Sequence, residues 1–388
     1  MSEWQETEYG KAPVEWRVLT LDDISDKITD GAHQSPRPQS IGKYMCSVKD
    51  MTYNKFDFSG SKLISDEDYE KLVKQGCQPK YGDILISKDG ANCLDLIFVF
   101  RQTDKLVLLS SIAIVRLFSD YIPDFVRYFL LSPDCQYTMR NNYVSGSAIP
   151  RVVLKDFKKV PILLPPLPEQ KAIAAVLSSL DDKIDLLHRQ NLTLEAMAET
   201  LFRQWFIEEA GEDWEDGNLG DFVTISYGKN LPTKNLLSKG YSVFGANGQI
   251  GFYDKYSYEE PQVLVSCRGE ASGKVNISLP KSFVTNNSLA LERNKRSEIS
   301  FELLKYWALT YDFKLHVSGS AQPQITIDGL YDADFTLPDK ESIDRFTAIV
   351  RRIEEKRLAN SVQIHTLEKL RDTLLPKLMS GEIRVKFA

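Results

Sequence analysis

At 388 residues, 43% hydrophobic and 26% charged, the chain has ordinary soluble composition and room for two or three domains with cores of their own. A net charge of −6 argues mildly against nucleic-acid binding, since phosphate neutralisation needs Lys and Arg, although local balance counts for more than the average. No apolar run reaches the length of a membrane span, the stretch Met1-Ser-Glu-Trp-Gln-Glu lacks a basic and then apolar signal, and five scattered cysteines without CxxC spacing read as thiols of a reducing cytoplasm.

In chain order, Asp83-Ile-Leu-Ile-Ser87 is a short apolar strand behind the turn Tyr81-Gly82, Leu106–Leu117 reads as further strand, and Phe125–Leu131 as a short helix. Pro165-Pro166-Leu167-Pro168 then opens a long helix with Glu169 in its first turn. From Ile173 a heptad seam runs through Leu177, Leu180, Ile184, Leu187, Asn191, Leu194, Ala198, Leu201 and Trp205 in strict 4-3 steps. Gln262-Val-Leu-Val-Ser266 is again a strand, Phe283–Leu291 another, and Phe301–Tyr311 a short helix, among Gly- and Asn-rich turns such as Gly245-Ala-Asn-Gly248. A second seam follows: Phe346, Val350, Ile353, Arg357, Asn360, Ile364, Leu367, Arg371, Leu374 and Leu378, interrupted by its two arginines. Pro376 should bend or interrupt the last turns, and Gly381 should stop the helix.

The chain repeats itself. Val144-Ser-Gly-Ser-Ala-Ile-Pro150 returns as Val317-Ser-Gly-Ser-Ala-Gln-Pro323, an offset of 173 that holds without a gap through both helices. Trp16-x4-Leu21-x-Asp23 matches Trp214-x4-Leu219-x-Asp221 at 198, Ile84–Ser87 matches Val263–Ser266 at 179, and Ser111–Ile114 matches Ser288–Leu291 at 177. A repeat this long is a duplicated domain rather than a solenoid unit. The helices keep their length while the heads differ, mostly before Ile84, which suits two related modules reading two different targets.

The expected fold is α+β: two similar strand-rich heads, residues 1–165 and 211–338, at opposite ends of an antiparallel coiled coil made by residues 166–210 and 339–388. About forty helical residues make a rod of roughly 60 Å. If the helices pair, a pseudo-two-fold near residue 189 sets Asn191 opposite Asn360, a polar pair that would hold register in the seam at some cost in stability.

Leu164-Pro-Pro-Leu-Pro-Glu-Gln-Lys-Ala-Ile-Ala-Ala-Val-Leu-Ser-Ser-Leu-Asp-Asp-Lys-Ile184, with Leu201-Phe-Arg-Gln-Trp-Phe206, resembles the central conserved region of the specificity (S) subunits of type I restriction–modification systems. Leu367-Glu-Lys-Leu-Arg-Asp-Thr-Leu-Leu-Pro-Lys-Leu-Met-Ser-Gly-Glu-Ile383 resembles their C-terminal conserved region. The resemblance implies that each head is a target recognition domain reading one half of a bipartite sequence in double-stranded DNA. It implies that the helices space those halves and dock two modification (methyltransferase) subunits, which carry S-adenosylmethionine, and that restriction subunits join them, using ATP and Mg²⁺. This chain would then be a cytoplasmic reader with no catalysis, cofactor or metal of its own. A rod of about 60 Å caps the spacing of the half-sites near seventeen base pairs at roughly 3.4 Å each, and about one helical turn would put both heads on the same face of the duplex.

The residues themselves show no phosphate-cradling GxxxxGKS, GxGxxG, methyltransferase Asn-Pro-Pro-Tyr/Phe, CxxC or HExxH motif. A nuclease-like match, Pro338-Asp339 with Glu354-x-Lys356, falls in the second helical run, where charged positions are expected to face solvent. Base reading calls for Arg or Lys toward guanine and Asn or Gln toward adenine. The candidates in the first head are Lys88, Arg140, Asn141, Ser145, Ser147 and Arg151. In the second they are Lys229, Asn230, Arg268, Asn286, Asn287, Ser318, Ser320, Gln322 and Gln324. The repeated Val-Ser-Gly-Ser-Ala loop reads equally well as a structural turn. The competing reading of the whole chain is a bivalent coiled-coil scaffold whose duplicated heads bind protein.

Overall fold

The computed structural model describes residues 4–146, 148–294, 298–319 and 322–385. The chain folds into two compact units, Met1–Leu186 with Gln363–Ala388, and Leu187–Val362.

The first unit runs through β1 (Trp4–Thr7), β2 (Gly10–Pro13), β3 (Arg17–Thr20), β4 (Ser25–Asp30), β5 (Lys43–Cys46), β6 (Lys62–Ile64), α1 (Asp66–Lys74), β7 (Ile84–Ser87), β8 (Ile97–Val99), β9 (Leu106–Leu108) and β10 (Ile112–Leu117). It continues through α2 (Pro123–Leu131), α3 (Pro133–Asn142), β11 (Val144–Ser145), β12 (Arg151–Val152), α4 (Leu154–Phe157) and β13 (Pro161–Leu164) into the long helix α5 (Leu167–Arg203). One sheet has the order β4-β10-β7-β8 and a second β6-β5-β9, while β3 pairs with β13. Every residue of β7 is buried, as its unbroken apolar run requires of a strand covered on both faces. The strand expected over Leu106–Leu117 is two strands in different sheets, because the chain turns at Leu109–Ser111. The core sets Ile84, Ile86, Ala113 and Val115 against Phe125 and Phe129 of α2 and against Ile173 and Leu177 of α5, with Leu378 and Met379 closing it. At about 25 cal/mol per Å², each of the larger of these side chains contributes roughly 1.5–3 kcal/mol.

The second unit is built of β14 (Glu215–Asn218), α6 (Leu219–Phe222), β15 (Val223–Tyr227), β16 (Tyr241–Gly245), β17 (Gly248–Tyr253), β18 (Val263–Ser266), β19 (Val275–Ile277), β20 (Phe283–Val284), β21 (Ser288–Arg293), α7 (Phe301–Thr310), α8 (Ile327–Tyr331), β22 (Asp334–Leu337) and α9 (Lys340–Met379). Its sheets have the orders β15-β21-β18-β19 and β17-β16-β20, with β14 against β22, matching the first unit's two larger sheets and its β3–β13 pair strand for strand. Among the described residues the β1–β2 pair belongs to the first unit alone, and the β11–β12 pair is reduced in the second to one bridge. The first unit's additional residues lie in the connection 47–61, where the second has the tight turn Ala246-Asn247, and in α1, which has no counterpart. This places most of the length difference ahead of Ile84, most of the rest lying in the segment that includes α3 (Pro133–Asn142). Both matched tryptophans serve the same end: Trp16 Nε1 donates to Glu169 at 3.2 Å and Trp214 Nε1 to Asp339 at 3.0 Å, each tying a head to the start of its long helix.

Within each unit the two helix segments run antiparallel. In the first, Glu169 of α5 meets Arg384 and Asp181 meets Arg371. In the second, Glu195 meets Arg357 and Phe206 packs edge-on against Phe346. Ile173, Leu177, Ile184, Leu187, Ala198, Phe346, Val350, Ile353, Asn360, Ile364 and Leu378 are buried, while Leu180, Asn191, Leu194, Leu201, Leu367 and Leu374 are half-buried. The heptad reading therefore names the packed face. Asn360 Nδ2 donates to Asn191 Oδ1 at 2.9 Å, so the expected pair forms. Pro376 does not interrupt α9, which continues to Met379, where the amide of Ser380 reaches the carbonyl of Pro376 at 3.0 Å. Gly381, at φ +76°, ends it.

Replacing Asn360 alone with Leu leaves the Asn191 Oδ1 without its donor, while its Nδ2 still reaches Arg357 O and Ser361 Oγ. The expected cost is about 1–3 kcal/mol, while Asn191→Leu with Asn360→Leu returns to within about 1 kcal/mol of wild type or exceeds it. Urea denaturation of the three proteins reads the difference.

Candidate nucleic-acid interface

Antiparallel pairing brings the end of β15, the start of β21 and the end of β18 to one edge of the second unit's main sheet. The segments beyond those ends are laced by backbone bonds. Asn286 N donates to Lys229 O at 3.1 Å, Cys267 N to Asn287 O at 2.9 Å, and Gly269 N to Pro323 O at 2.9 Å. Ser318 and Gln324 exchange bonds of 2.8 and 2.9 Å. Lys229, Asn230, Arg268, Asn287, Ser318, Gln322 and Gln324 are exposed along this edge, with Asn286 half-buried among them. Stretches far apart in sequence thus make one polar strip. Among the described residues Arg268 is exposed and forms no ion pair.

The first unit repeats the frame. Gly90 N donates to Pro150 O and Val152 N to Lys88 O, both at 2.9 Å, and Val144 pairs with Val152. Gly31 and Gly228 hold equivalent places where two strands nearly touch: a Cβ would lie 2.1 Å from Leu108 O in one and 2.2 Å from Thr285 O in the other.

The described residues flanking the repeated loop pair in both copies, Ser145 with Arg151 and Ser318 with Gln324. Gly146 and Gly319 have φ of +90° and +85°, and a Cβ would lie 2.4 Å from Ile149 O and 2.8 Å from Gln322 O. The Ser145 hydroxyl donates to Arg151 O and the Ser318 hydroxyl to Gln324 O, each at 3.3 Å. These serines therefore tie the flanks of the loop. What differs on it is Ile149 against Gln322 and Arg151 against Gln324, all exposed. Ser147 and Ser320 lie outside the described residues.

Two further candidates are already committed within the fold. Lys88 is only 4% exposed, with its ammonium 3.4 Å from Asp30 and 3.2 Å from Asp89. It is a buried charge in an ion cluster and does not present itself to DNA, because the strand end that carries it is covered. Its counterpart, Cys267, has no such cluster. Arg140 pairs with Asp95 at 2.7 Å and donates to Cys93 O at 3.1 Å, bracing α3. Asn141 is exposed at the end of α3, and Arg151 reaches Asp89 only at 4.0 Å.

The most organised polar clusters lie elsewhere, where each head meets its long helix. In the first unit Asp181 of α5 accepts from Arg127 at 3.1 Å, Tyr128 at 2.7 Å, Arg371 of α9 at 3.0 Å and Tyr53 at 3.2 Å. In the second unit Glu354 of α9 accepts from Lys305 at 2.7 Å, Tyr306 at 2.6 Å and Arg357 at 3.1 Å, and Arg357 also meets Glu195 of α5 at 2.9 Å. Burial alone would raise the Glu354 carboxyl, but the Lys305 and Tyr306 bonds outweigh it and hold it below the ordinary carboxylate range. Glu354 therefore does not face solvent as its position suggested; it is half-buried and engaged. Asp339 caps α9, accepting from Ser342 N at 2.9 Å, so the nuclease-like set never converges. The signal for these clusters was in the repeat: Asp181 and Glu354 stand 173 apart, and Arg127-Tyr128 and Lys305-Tyr306 stand 178 apart.

Among the described residues no group of three or more His, Cys, Asp or Glu could hold a metal, and no helix is long and apolar enough to cross a membrane. All five cysteines are buried, and burial pushes the Cys46 and Cys135 thiols up to about 12.

Comparison with known proteins supplies the context for two matched edges. The family model described as the type I restriction modification DNA specificity domain matches residues 13–196 and again 211–363. The chain is 26% identical over 438 residues to the type I restriction enzyme MjaIX specificity subunit of Methanocaldococcus jannaschii, covering 99% of this chain and 97% of that one. It is 22% identical to the HindI specificity subunit of Haemophilus influenzae, covering 95% and 100%. Its fold is similar to the crystal structure of a type I restriction–modification S subunit from M. genitalium, with a TM-score of 0.62, 17% identity, and coverage of 96% and 97%.

Lys88→Met strands Asp30 and Asp89 beside a neutral side chain. The expected loss is about 3 kcal/mol of stability, read as a lower thermal midpoint, with DNA binding by the folded protein retained. Loss of DNA binding at an unchanged midpoint would contradict the buried ion cluster.

Proposed function

This chain belongs to the family of type I restriction–modification DNA specificity subunits, with two recognition domains, and we propose that those domains read the two halves of a bipartite duplex target while the chain itself catalyses nothing. The observation that carries this reading is the pair of matched sheet edges: one hydrogen-bonded frame, built twice, bearing different exposed donors and acceptors. Identical frames with identical tips would suit one target read twice. Arg151 against Gln324 and Ile149 against Gln322 suit two different half-sites, since guanidinium and amide groups favour different base edges. The second head's strip, with Lys229, Arg268, Asn287 and Gln324 exposed, combines phosphate neutralisation with groups able to read bases.

The modification chemistry belongs, in this proposal, to partners. The helix pair docks two methyltransferase subunits holding S-adenosylmethionine. Restriction subunits that use ATP and Mg²⁺ join through them, and the assembly works in the cytoplasm on chromosomal and incoming DNA. The net charge of −6 fits a reader that grips DNA together with its partners rather than by bulk electrostatics.

Genome-wide mapping of methylated adenine in cells with and without this chain should show one bipartite motif, its halves about one helical turn apart, that vanishes on deletion. An uninterrupted motif, or no change, would overturn the reading. In the assembled complex, DNA affinity should fall steeply with salt; affinity indifferent to DNA and salt would favour a protein scaffold instead. Arg268→Ala should weaken binding by about 1–3 kcal/mol, relax preference within one half-site only, and leave the thermal midpoint unchanged.

A further inference from the structure

We propose that Asp181 and Glu354 are positioning residues: each fixes the angle of one recognition domain on its own long helix, and with it how strictly the two half-sites must be spaced. The inference rests on the bipartite reading above and goes beyond it by naming what holds each head in place.

The two clusters share one design. A basic residue followed by tyrosine on a short head helix, Arg127-Tyr128 or Lys305-Tyr306, converges on a single carboxylate of a long helix. A seam arginine completes each, Arg371 in the first unit and Arg357 in the second, so the head, its carrying helix and the opposing helix are tied at one point. The two arginines that break the apolar seam are therefore the third limb of each lock. Elsewhere the head meets the helix through apolar packing such as Phe125 and Phe129 near Ile173, or Tyr306 edge-on to Phe346. Such packing is strong but non-directional, so it tolerates small rotations. Charge-assisted bonds with fixed partners do not, and a buried pair is better suited to specifying one arrangement than to adding stability.

Spacing demands that directionality. One base pair more or less moves a half-site by about 3.4 Å and turns it by about 35° about the duplex axis. A head able to pivot on its helix would follow part of that displacement, while a locked head would not. The side chains involved are largely withdrawn from water, with 7% of Arg127, 11% of Asp181 and 17% of Arg371 exposed, so solvent screening does not slacken the first lock.

The test uses the full chain assembled with its modification subunits, and three duplexes carrying the mapped half-sites at the native spacing and at one base pair more and one fewer. The readout is kcat/KM for methylation of each. In Asp181→Asn and Glu354→Gln the preference for the native spacing should fall at least tenfold, mainly through faster methylation of the wrong spacings, with sequence preference inside each half-site kept. Asp181→Glu and Glu354→Asp, which restore a carboxylate, should recover most of the preference. Tyr128→Phe and Tyr306→Phe, which remove one bond and no charge, should move it in the same direction by less and decide the matter if the carboxylate variants do not fold. Equal losses on all three duplexes, or a preference unchanged in folded variants, would overturn the proposal. A wild-type complex that treats all three alike would sink the bipartite reading and the spacing role with it, so the wild-type arm separates the two failures.

Discussion

A helix whose apolar residues recur every three and four positions cannot leave that stripe in water, and the organisation of this chain follows from how α5 and α9 dispose of theirs. Each unit takes one segment of each helix, runs the two antiparallel and closes its head over them. Ile173 and Leu177 belong to the same core as the strands of the first head, and Phe346 and Val350 to that of the second. The helices are therefore part of each domain's interior as well as a connection between domains. A head without its helix segments would expose the residues that its own sheet packs against.

Polar groups within this seam carry the specificity that apolar packing lacks. Asn360 donates to Asn191 across the seam, and an unmatched slide of one helix would bury both amides without a partner. Arg357 and Arg371 look like defects in a heptad pattern, yet each finds carboxylates supplied from outside its own seam position. Apolar area provides the stability, and a few polar contacts select the arrangement.

The heads apply the same economy to recognition. Glycines at Gly31 and Gly228, where strands nearly touch, and at Gly146 and Gly319, in the left-handed region, recur at the same places in both edges. The frame is written in backbone bonds, which do not depend on side-chain identity, so exposed positions such as Ile149 and Gln322, or Arg151 and Gln324, can differ without disturbing it. The same independence explains why Lys88 could become an internal ion-pair residue in one copy while Cys267 stands in the other.

Periodicity and repetition are local properties, so the sequence alone determined the two long helices, their buried faces, the Asn191–Asn360 pair, the α+β heads and the duplication itself. Family resemblance was legible for the same reason, since it sits in the helices. Whether a charged side chain is a reader or a brace depends on what lies opposite it in space, and no spacing rule encodes that. Lys88 follows a strand just as Arg268 does, but β4 brings Asp30 to the one, and among the described residues Arg268 has no ion-pair partner. Asp181 and Glu354 sit at ordinary helix positions until α2 and α7 fold down upon them. Tertiary structure decided these roles because burial and charge pairing are set by residues tens to hundreds of positions away.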